Sequence, residues 1–115
     1  MTRIYLAGPM AGYPDLNRQA FRDTAWTLHL AGHQVVNPHN EMPDDHDGDC
    51  PRSYAVNDGH SAACYLRACL KVMLDCDEVH LLPGWESSVG ARLELQVAAA
   101  CGLKVTFAGD VGGVR

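Results

Sequence analysis

The chain has 115 residues, enough for one compact domain with its own hydrophobic core. Its formal net charge of -5, from nine basic and fourteen acidic residues, excludes the basic patch that a nucleic acid polymer requires, and no apolar run approaches the ~20 residues of a membrane span. The five cysteines are odd in number and form no Cys-x-x-Cys pair, which predicts a reduced, cytoplasmic protein.

The first third of the chain predicts two strands joined by one helix. Residues 4–7 form a short apolar run that a Gly-Pro pair ends, which is typical of a buried strand. Asp15 is expected to cap a helix that runs to about Ala31, and Gly32 then ends it. Residues 33–37 predict the second strand.

The remaining residues continue the alternation of helix and strand. Residues 39–62 show no periodicity and predict a long loop, followed by a helix over residues 65–74. Residues 78–82 and 103–107 predict the third and fourth strands, and the helix between them begins near Ser87.

This alternation predicts an α/β fold, a single Rossmann-like or flavodoxin-like domain over residues 1–108. We expect a parallel sheet of about four to five strands with helices on both faces, and a flexible C-terminal tail over residues 109–115. Such sheets bind ligands beyond the carboxyl ends of their strands. If the first and third strands are neighbours, the loops that follow them meet at one cleft.

A single carboxylate, Glu94, stands out on the helix before the fourth strand. At 3.6 residues per turn, Ser87, Gly90, Glu94 and Ala98 share one face. Free N–H groups at the helix N-terminus favour polar ligand atoms, Gly90 permits close approach, and the carboxylate would act as nucleophile or base. The alternative is a helical glutamate that faces water.

Two segments resemble motifs of the nucleoside 2-deoxyribosyltransferase-like superfamily. They are YLAGPMAG at residues 5–12, and CDEV at residues 76–79 followed by LPGWESSVGARLE at residues 82–94. The chain is most similar to an uncharacterised, often phage- or prophage-encoded branch of that superfamily, a domain of unknown function. The resemblance covers roughly residues 3–107.

The resemblance implies an enzyme that cleaves the N-glycosidic bond of a small (deoxy)nucleoside or nucleoside 5′-monophosphate. The sugar then passes to water, as in a hydrolase, or to another base, as in a 2-deoxyribosyltransferase. It implies that Glu94 is the nucleophile and that Tyr5 orients it. The chemistry is consistent, since a carboxylate traps an oxocarbenium-like transition state. We expect no cofactor. The candidate substrate-binding residues are Gly8, Pro9, Met10, Gly12, Asp77, Trp85, Ser88 and Gly90.

Several of these candidates have a structural alternative. Trp85 either stacks on a base or fills the junction between loop and helix. Asp77 either contacts the first loop or, as we favour, stabilises the turn in which it lies. The acidic stretch at residues 39–50 matches neither a zinc nor a calcium template, so we expect a solvated loop and no metal site.

Two departures from the resembling enzymes favour a second hypothesis. Cys69 stands where they carry an aspartate, and Ala11 stands where the nucleotide hydrolases carry an arginine, although Ser88 matches the hydrolases. The second hypothesis is a catalytically weak nucleotide-binding module that uses the same cleft. We expect a homo-oligomer, a dimer or larger, because the resembling enzymes complete their sites with residues of a neighbouring subunit.

Overall fold

A computed structural model describes residues 2–40 and 62–108 of the chain. These residues form four strands, β1 (Arg3–Ala7), β2 (Gln34–Val36), β3 (Glu78–Leu81) and β4 (Lys104–Phe107). They also form three α-helices, α1 (Arg18–Leu30), α2 (Ala62–Met73) and α3 (Val89–Ala100). All strand pairs are parallel, in the order β2-β1-β3-β4, which confirms the predicted α/β fold.

The alternation of side chains along β1 divides the core between the two faces of the sheet. Ile4 and Leu6 point to the face that α1 covers, where they pack with Phe21. Tyr5 points to the opposite face and packs in a cluster with Met73 of α2 and Ala98 of α3. Helices therefore lie on both faces, as the alternating sequence pattern predicts.

The first and third strands are neighbours, so the condition for a shared cleft is met. Ala7 pairs with Leu81 at the carboxyl ends of β1 and β3, and the N–H of Leu82 donates to the carbonyl of Ala7 at 2.8 Å. The loops that follow the two strands consequently leave the sheet at the same edge.

The start of α1 differs from the prediction. The helix begins at Arg18 instead of near Asp15, because Asp15, Leu16 and Asn17 have φ angles of 50°, 53° and 59°. Residues with this left-handed backbone cannot be part of a right-handed helix. Asp15 forms an ion pair with Arg18 at 3.5 Å and does not cap the helix.

The other boundaries differ from the predictions by one to three residues, and α2 begins at Ala62. Most of the predicted long loop, residues 41–61, and the predicted tail, residues 109–115, lie outside the described part of the chain. Among the helices that are described, none is long and apolar enough to cross a membrane. The same residues contain no group of three or more His, Cys, Asp or Glu side chains placed to hold a metal ion.

Candidate active site

The loops after β1 and β3 contact each other through Tyr13 and Gly84. A methyl group on Gly84 would lie 2.7 Å from the Tyr13 hydroxyl oxygen and 3.1 Å from Cγ of Pro9. Gly84 also has a φ of +89°, which favours glycine. The second motif includes Gly84, but the sequence gave no sign of Tyr13, because a contact between distant loops leaves no local pattern.

The second loop leads into α3 through two serines that stabilise the helix start. The Ser88 oxygen accepts a hydrogen bond from the N–H of Ala91 at 3.2 Å, so Ser88 is the N-cap. Ser87 lies before the helix and donates to the carbonyl of Gly84 at 2.9 Å. The expected placement of Ser87 on the helical face of Glu94 is therefore wrong, because the helix starts after it.

Glu94 is buried in the second turn of α3 and is bonded to Tyr5. Its exposed fraction is 7%, that of Tyr5 is 1%, and the Tyr5 hydroxyl donates to Oε2 of Glu94 at 2.5 Å. The alternative in which Glu94 faces water is wrong. A carboxyl group held in an apolar cluster by a single phenol is costly to bury, which is a common property of functional sites.

Burial and hydrogen bonding act in opposite directions on the acidity of Glu94. Burial raises the pKa of Glu94 from 4.5 to about 7, and the hydrogen bond from Tyr5 lowers it. Burial, and secondarily the charge of Glu94, raise the pKa of Tyr5 well above 10. Tyr5 therefore remains a proton donor at neutral pH, where Glu94 exchanges between its two protonation states.

Cys69 is a third polar group at this position. It lies on α2 with an exposed fraction of 8%, in the same core cluster as Tyr5, and it contributes to the raised pKa of Tyr5. The sequence singled out Cys69 because the resembling enzymes carry an aspartate there. Its place in the cluster of the predicted orienting residue appears only in the folded chain.

The glycines of the predicted site have different surroundings. A methyl group on Gly8 would lie 2.9 Å from Cβ of Leu82 and 3.3 Å from a ring carbon of Phe21, so Gly8 allows close packing in the core. Gly12 is exposed with a φ of +83°. A methyl group on Gly90 would meet no atom within 4 Å, so the space beside this position of α3 is open.

Pro9 and Met10 shape the first loop from its inner side. Pro9 is buried, and its carbonyl accepts a hydrogen bond from the side-chain amide of Asn17 at 3.0 Å. Met10 packs against the core cluster beneath α1, and its carbonyl accepts from the N–H of Tyr13 at 3.1 Å. Both residues support the loop that carries Tyr13.

Trp85 and Asp77 have structural contacts. The Trp85 ring is partly buried against Phe107, with ring centres 5.6 Å apart, which favours the interpretation that it fills the junction between loop and helix. Asp77 precedes β3 and accepts a hydrogen bond from the N–H of Arg3 at 3.0 Å. It thus lies at the amino ends of the strands, and the structure does not bring it to the cleft.

A second buried carboxyl group, Glu78, lies on the α1 side of the sheet and escaped the sequence analysis. Thr106 donates to Oε2 of Glu78 at 2.7 Å, and Nδ1 of His80 lies 2.8 Å from the same threonine oxygen. A two-residue period puts Glu78 and His80 on one face of β3. That period was the available signal, but the pairing with Thr106 on β4 depends on strand register.

Comparisons with known proteins place the chain in a family. A search of curated proteins found no match. A family model described as Domain of unknown function (DUF4406) matches residues 2–107, which include every described strand and helix. The resemblance to the wider nucleoside 2-deoxyribosyltransferase-like superfamily stays a prediction. Because the match covers almost the whole chain, the protein belongs to the DUF4406 family.

Proposed function

We propose that this protein cleaves the N-glycosidic bond of a small (deoxy)nucleoside or nucleoside 5′-monophosphate and passes the sugar to water or to another base. The observation that carries the proposal is the buried carboxyl group of Glu94, which Tyr5 holds on the helix that follows the cleft loop. A buried, oriented carboxyl group one helical turn from the uncrowded position of Gly90 suits attack on a sugar carbon.

The proposed reaction has two displacement steps at the anomeric carbon. The Glu94 carboxylate forms a bond to that carbon while the carbon–nitrogen bond breaks, and the base leaves with its electron pair and takes a proton from an acid or from water. Water or a second base then attacks the same carbon and releases Glu94. Since Tyr5 bonds Oε2, we assign the attack to Oε1.

The position of Tyr5 gives the proposal a second line of support. The resemblance selects these two residues from motifs that lie 89 residues apart, one as nucleophile and one as its orienter. In the folded chain their side chains share a buried hydrogen bond. A phenol in this position holds the carboxylate and lowers the energy of its ionised form.

One observation favours the alternative of a nucleotide-binding module in the same cleft. Burial raises the pKa of Glu94 to about 7, which favours its protonated form. A protonated carboxyl group is a hydrogen-bond donor to a ligand and not a nucleophile. The two functions differ in whether the ligand is consumed.

A chromatographic assay for free base tests the proposal. Purified protein is incubated with deoxyribonucleosides, ribonucleosides and their 5′-monophosphates, with and without an acceptor base, in parallel with Glu94→Ala. We expect base release by the wild type and none by the variant. Equal release by the two proteins would contradict the role of Glu94.

The melting temperature with each compound distinguishes the alternative. A compound that raises the melting temperature and is recovered intact supports the binding module and contradicts the enzyme. Comparison of each nucleoside with its 5′-monophosphate shows which is consumed faster, and so whether the substrate carries a 5′-phosphate.

A further inference from the structure

The loop between β1 and α1 contains a run of strained backbone. We call residues 10–17 of this loop the strap. Among the described residues, the ones other than glycine with positive φ all lie here: Asp15, Leu16 and Asn17, at 50°, 53° and 59°. Aspartate and asparagine tolerate this left-handed region, whereas it brings the Cβ of leucine too close to the following carbonyl oxygen. Strained backbone of this kind often marks a segment that switches between conformations.

The strap is exposed, and the hydrogen bonds that shape it are internal. Residues 11–16 are all exposed. The side-chain amide of Asn17 donates to the carbonyl of Pro9 at 3.0 Å, and the N–H of Tyr13 donates to the carbonyl of Met10 at 3.1 Å. Both bonds join residues within the strap or at its base. They fix its shape without attaching it to the other cleft loop, so the strap can move as one unit.

Tyr13 is the residue through which the strap contacts the loop after β3. Its side chain is 40% exposed, and its hydroxyl oxygen would lie 2.7 Å from a methyl group on Gly84. The carbonyl of Gly84 accepts a hydrogen bond from the Ser87 hydroxyl at 2.9 Å, in the turn that leads into α3. The contact thus spans the two cleft loops and reaches the start of the helix that carries Glu94. A single half-exposed side chain separates from its partner at small cost.

We propose that the strap is a gate at the mouth of the cleft, closed in this structure, and that its left-handed turn favours opening. This inference rests on the proposed function, in which a sugar carbon must reach the carboxyl group of Glu94. The exposed fractions of Glu94 and Tyr5 are 7% and 1%, so a substrate needs the cleft to widen first. Opening separates Tyr13 from Gly84 and returns Leu16 to ordinary backbone. The strain at Leu16 offsets part of the closed contact, which keeps the two states close in free energy.

A pair of variants measures the strain at Leu16. Leu16→Gly and Leu16→Ala both remove the leucine side chain, but only glycine adopts the left-handed turn without cost. We expect Leu16→Gly to melt about 3–6 °C above Leu16→Ala. Trp26, exposed in the middle of α1, is the control: with right-handed backbone, Trp26→Gly should melt below Trp26→Ala. A Leu16→Gly variant that melts at or below Leu16→Ala overturns the proposal.

Fluorine NMR of protein that carries 3-fluorotyrosine measures the opening itself. The Tyr13 signal is assigned by its absence in Tyr13→Phe, and relaxation dispersion gives the population of the open state. We expect Gly84→Ala to raise this population about fivefold or more, since its methyl group crowds the closed position of the Tyr13 hydroxyl. Leu16→Gly should lower it about five- to tenfold relative to Leu16→Ala, because the closed turn is then unstrained.

Gly102→Ala is the control for Gly84→Ala. Gly102 also has a positive φ, +79°, but a methyl group there would meet no atom within 4 Å, so the variant carries backbone strain without the contact. We expect it to leave the open population unchanged. An equal rise in Gly102→Ala and Gly84→Ala overturns the proposal. So does an open population that is the same in Leu16→Gly and Leu16→Ala.

Turnover gives a separate readout, with the substrate from the base-release assay. If the open state alone binds substrate, the apparent KM is inversely proportional to the open population. We therefore expect KM of Leu16→Gly to exceed that of Leu16→Ala about five- to tenfold, with kcat within about twofold. Equal KM values in the two variants contradict the gate. If the protein releases no base, the proposed function fails, and the fluorine measurement, which needs no substrate, still decides whether the strap opens.

Discussion

Two buried glutamates, Glu94 and Glu78, lie on opposite faces of the sheet and show why burial alone does not identify a functional carboxyl group. Their exposed fractions are 7% and 8%, and each accepts a hydrogen bond from one hydroxyl group, Tyr5 at 2.5 Å or Thr106 at 2.7 Å. The two glutamates differ in the residues that surround them and their hydroxyl donors. Glu94 is in an apolar cluster between helices, whereas Glu78 belongs to a polar row that crosses two strands.

The row at Glu78 is arranged for structural stability. Thr106 gives its proton to Glu78, so Nδ1 of His80 must carry the proton in the bond to the threonine oxygen. Donors and acceptors alternate along the row and join β3 to β4. At Glu94 the hydrogen bond from Tyr5 joins β1 to α3, and Glu94 lies one turn after Gly90 on that helix. The comparison therefore favours Glu94 over Glu78 for the proposed chemistry.

The largest expected effect is on turnover, and it tests the comparison directly. We expect Glu94→Gln to lower base release by about a thousandfold or more, because an amide cannot form the glycosyl intermediate. Glu78→Gln makes the same chemical change on the other face and should keep turnover within about twofold. Similar losses in the two variants, measured in the chromatographic assay, would break the comparison.

The next effect is on the dependence of stability on pH. The pKa of Glu94 is about 7 in the folded protein and 4.5 in the unfolded chain, so the folded state binds more protons between these values. Its contribution to the free energy of unfolding is full below pH 4.5 and is lost as the pH rises through about 7. At about 1.4 kcal/mol per pH unit, the loss is on the order of 3 kcal/mol.

Urea unfolding of the wild type and Glu94→Gln from pH 4 to pH 8 measures this contribution. We expect the variant to gain stability relative to the wild type as the pH rises, since its amide does not ionise. A constant difference between the two proteins across this range would mean that Glu94 is less buried in solution than we describe.

A smaller effect on turnover is expected when the Tyr5 hydroxyl group, which donates to Glu94, is removed. Tyr5→Phe should lower turnover by about 10- to 100-fold, because it removes one hydrogen bond to a charged group. It should also raise the pKa of Glu94, since that bond favours the ionised form. The acidic limb of the pH–rate profile would then move upward. An unchanged profile would show that Tyr5 has no orienting role.

The smallest effect concerns the partner of Glu78. Thr106→Val should lower the free energy of unfolding by about 1–2 kcal/mol and leave turnover unchanged, because Glu78 loses its donor at nearly constant volume. Thr27→Val is the control, since it removes an exposed threonine hydrogen bond within α1. A loss of turnover in Thr106→Val without unfolding would give the second glutamate a functional role.

Local patterns predicted the elements and the central pair of the site. Apolar runs located every described strand, and the motifs selected Tyr5 and Glu94. They placed Asp15 in a helix cap, but three residues with positive φ begin there, and periodicity does not encode such a break. Asp77 precedes its strand, so it lies at the edge of the sheet opposite to the cleft.

The contacts that the sequence could not supply all join distant segments. Tyr13 approaches Gly84 because the strand order puts β3 beside β1. Cys69 shares a core cluster with Tyr5 because α2 packs on that face of the sheet. Thr106 meets Glu78 because β4 pairs in one particular register. A single sequence contains the residue types of these pairs but not the geometry that joins them.

The position of β1 at the centre of the sheet has a consequence for synthesis on the ribosome. β1 pairs with β2 within the first 36 residues, so a β1-α1-β2 unit can form while the nascent chain is still short. Its other partner, β3, emerges much later, and the residue that bonds Tyr5 is 89 positions downstream. The face of β1 that carries Tyr5 therefore stays uncovered until its partners are synthesised. The surroundings of Glu94 are among the last parts of the molecule to assemble.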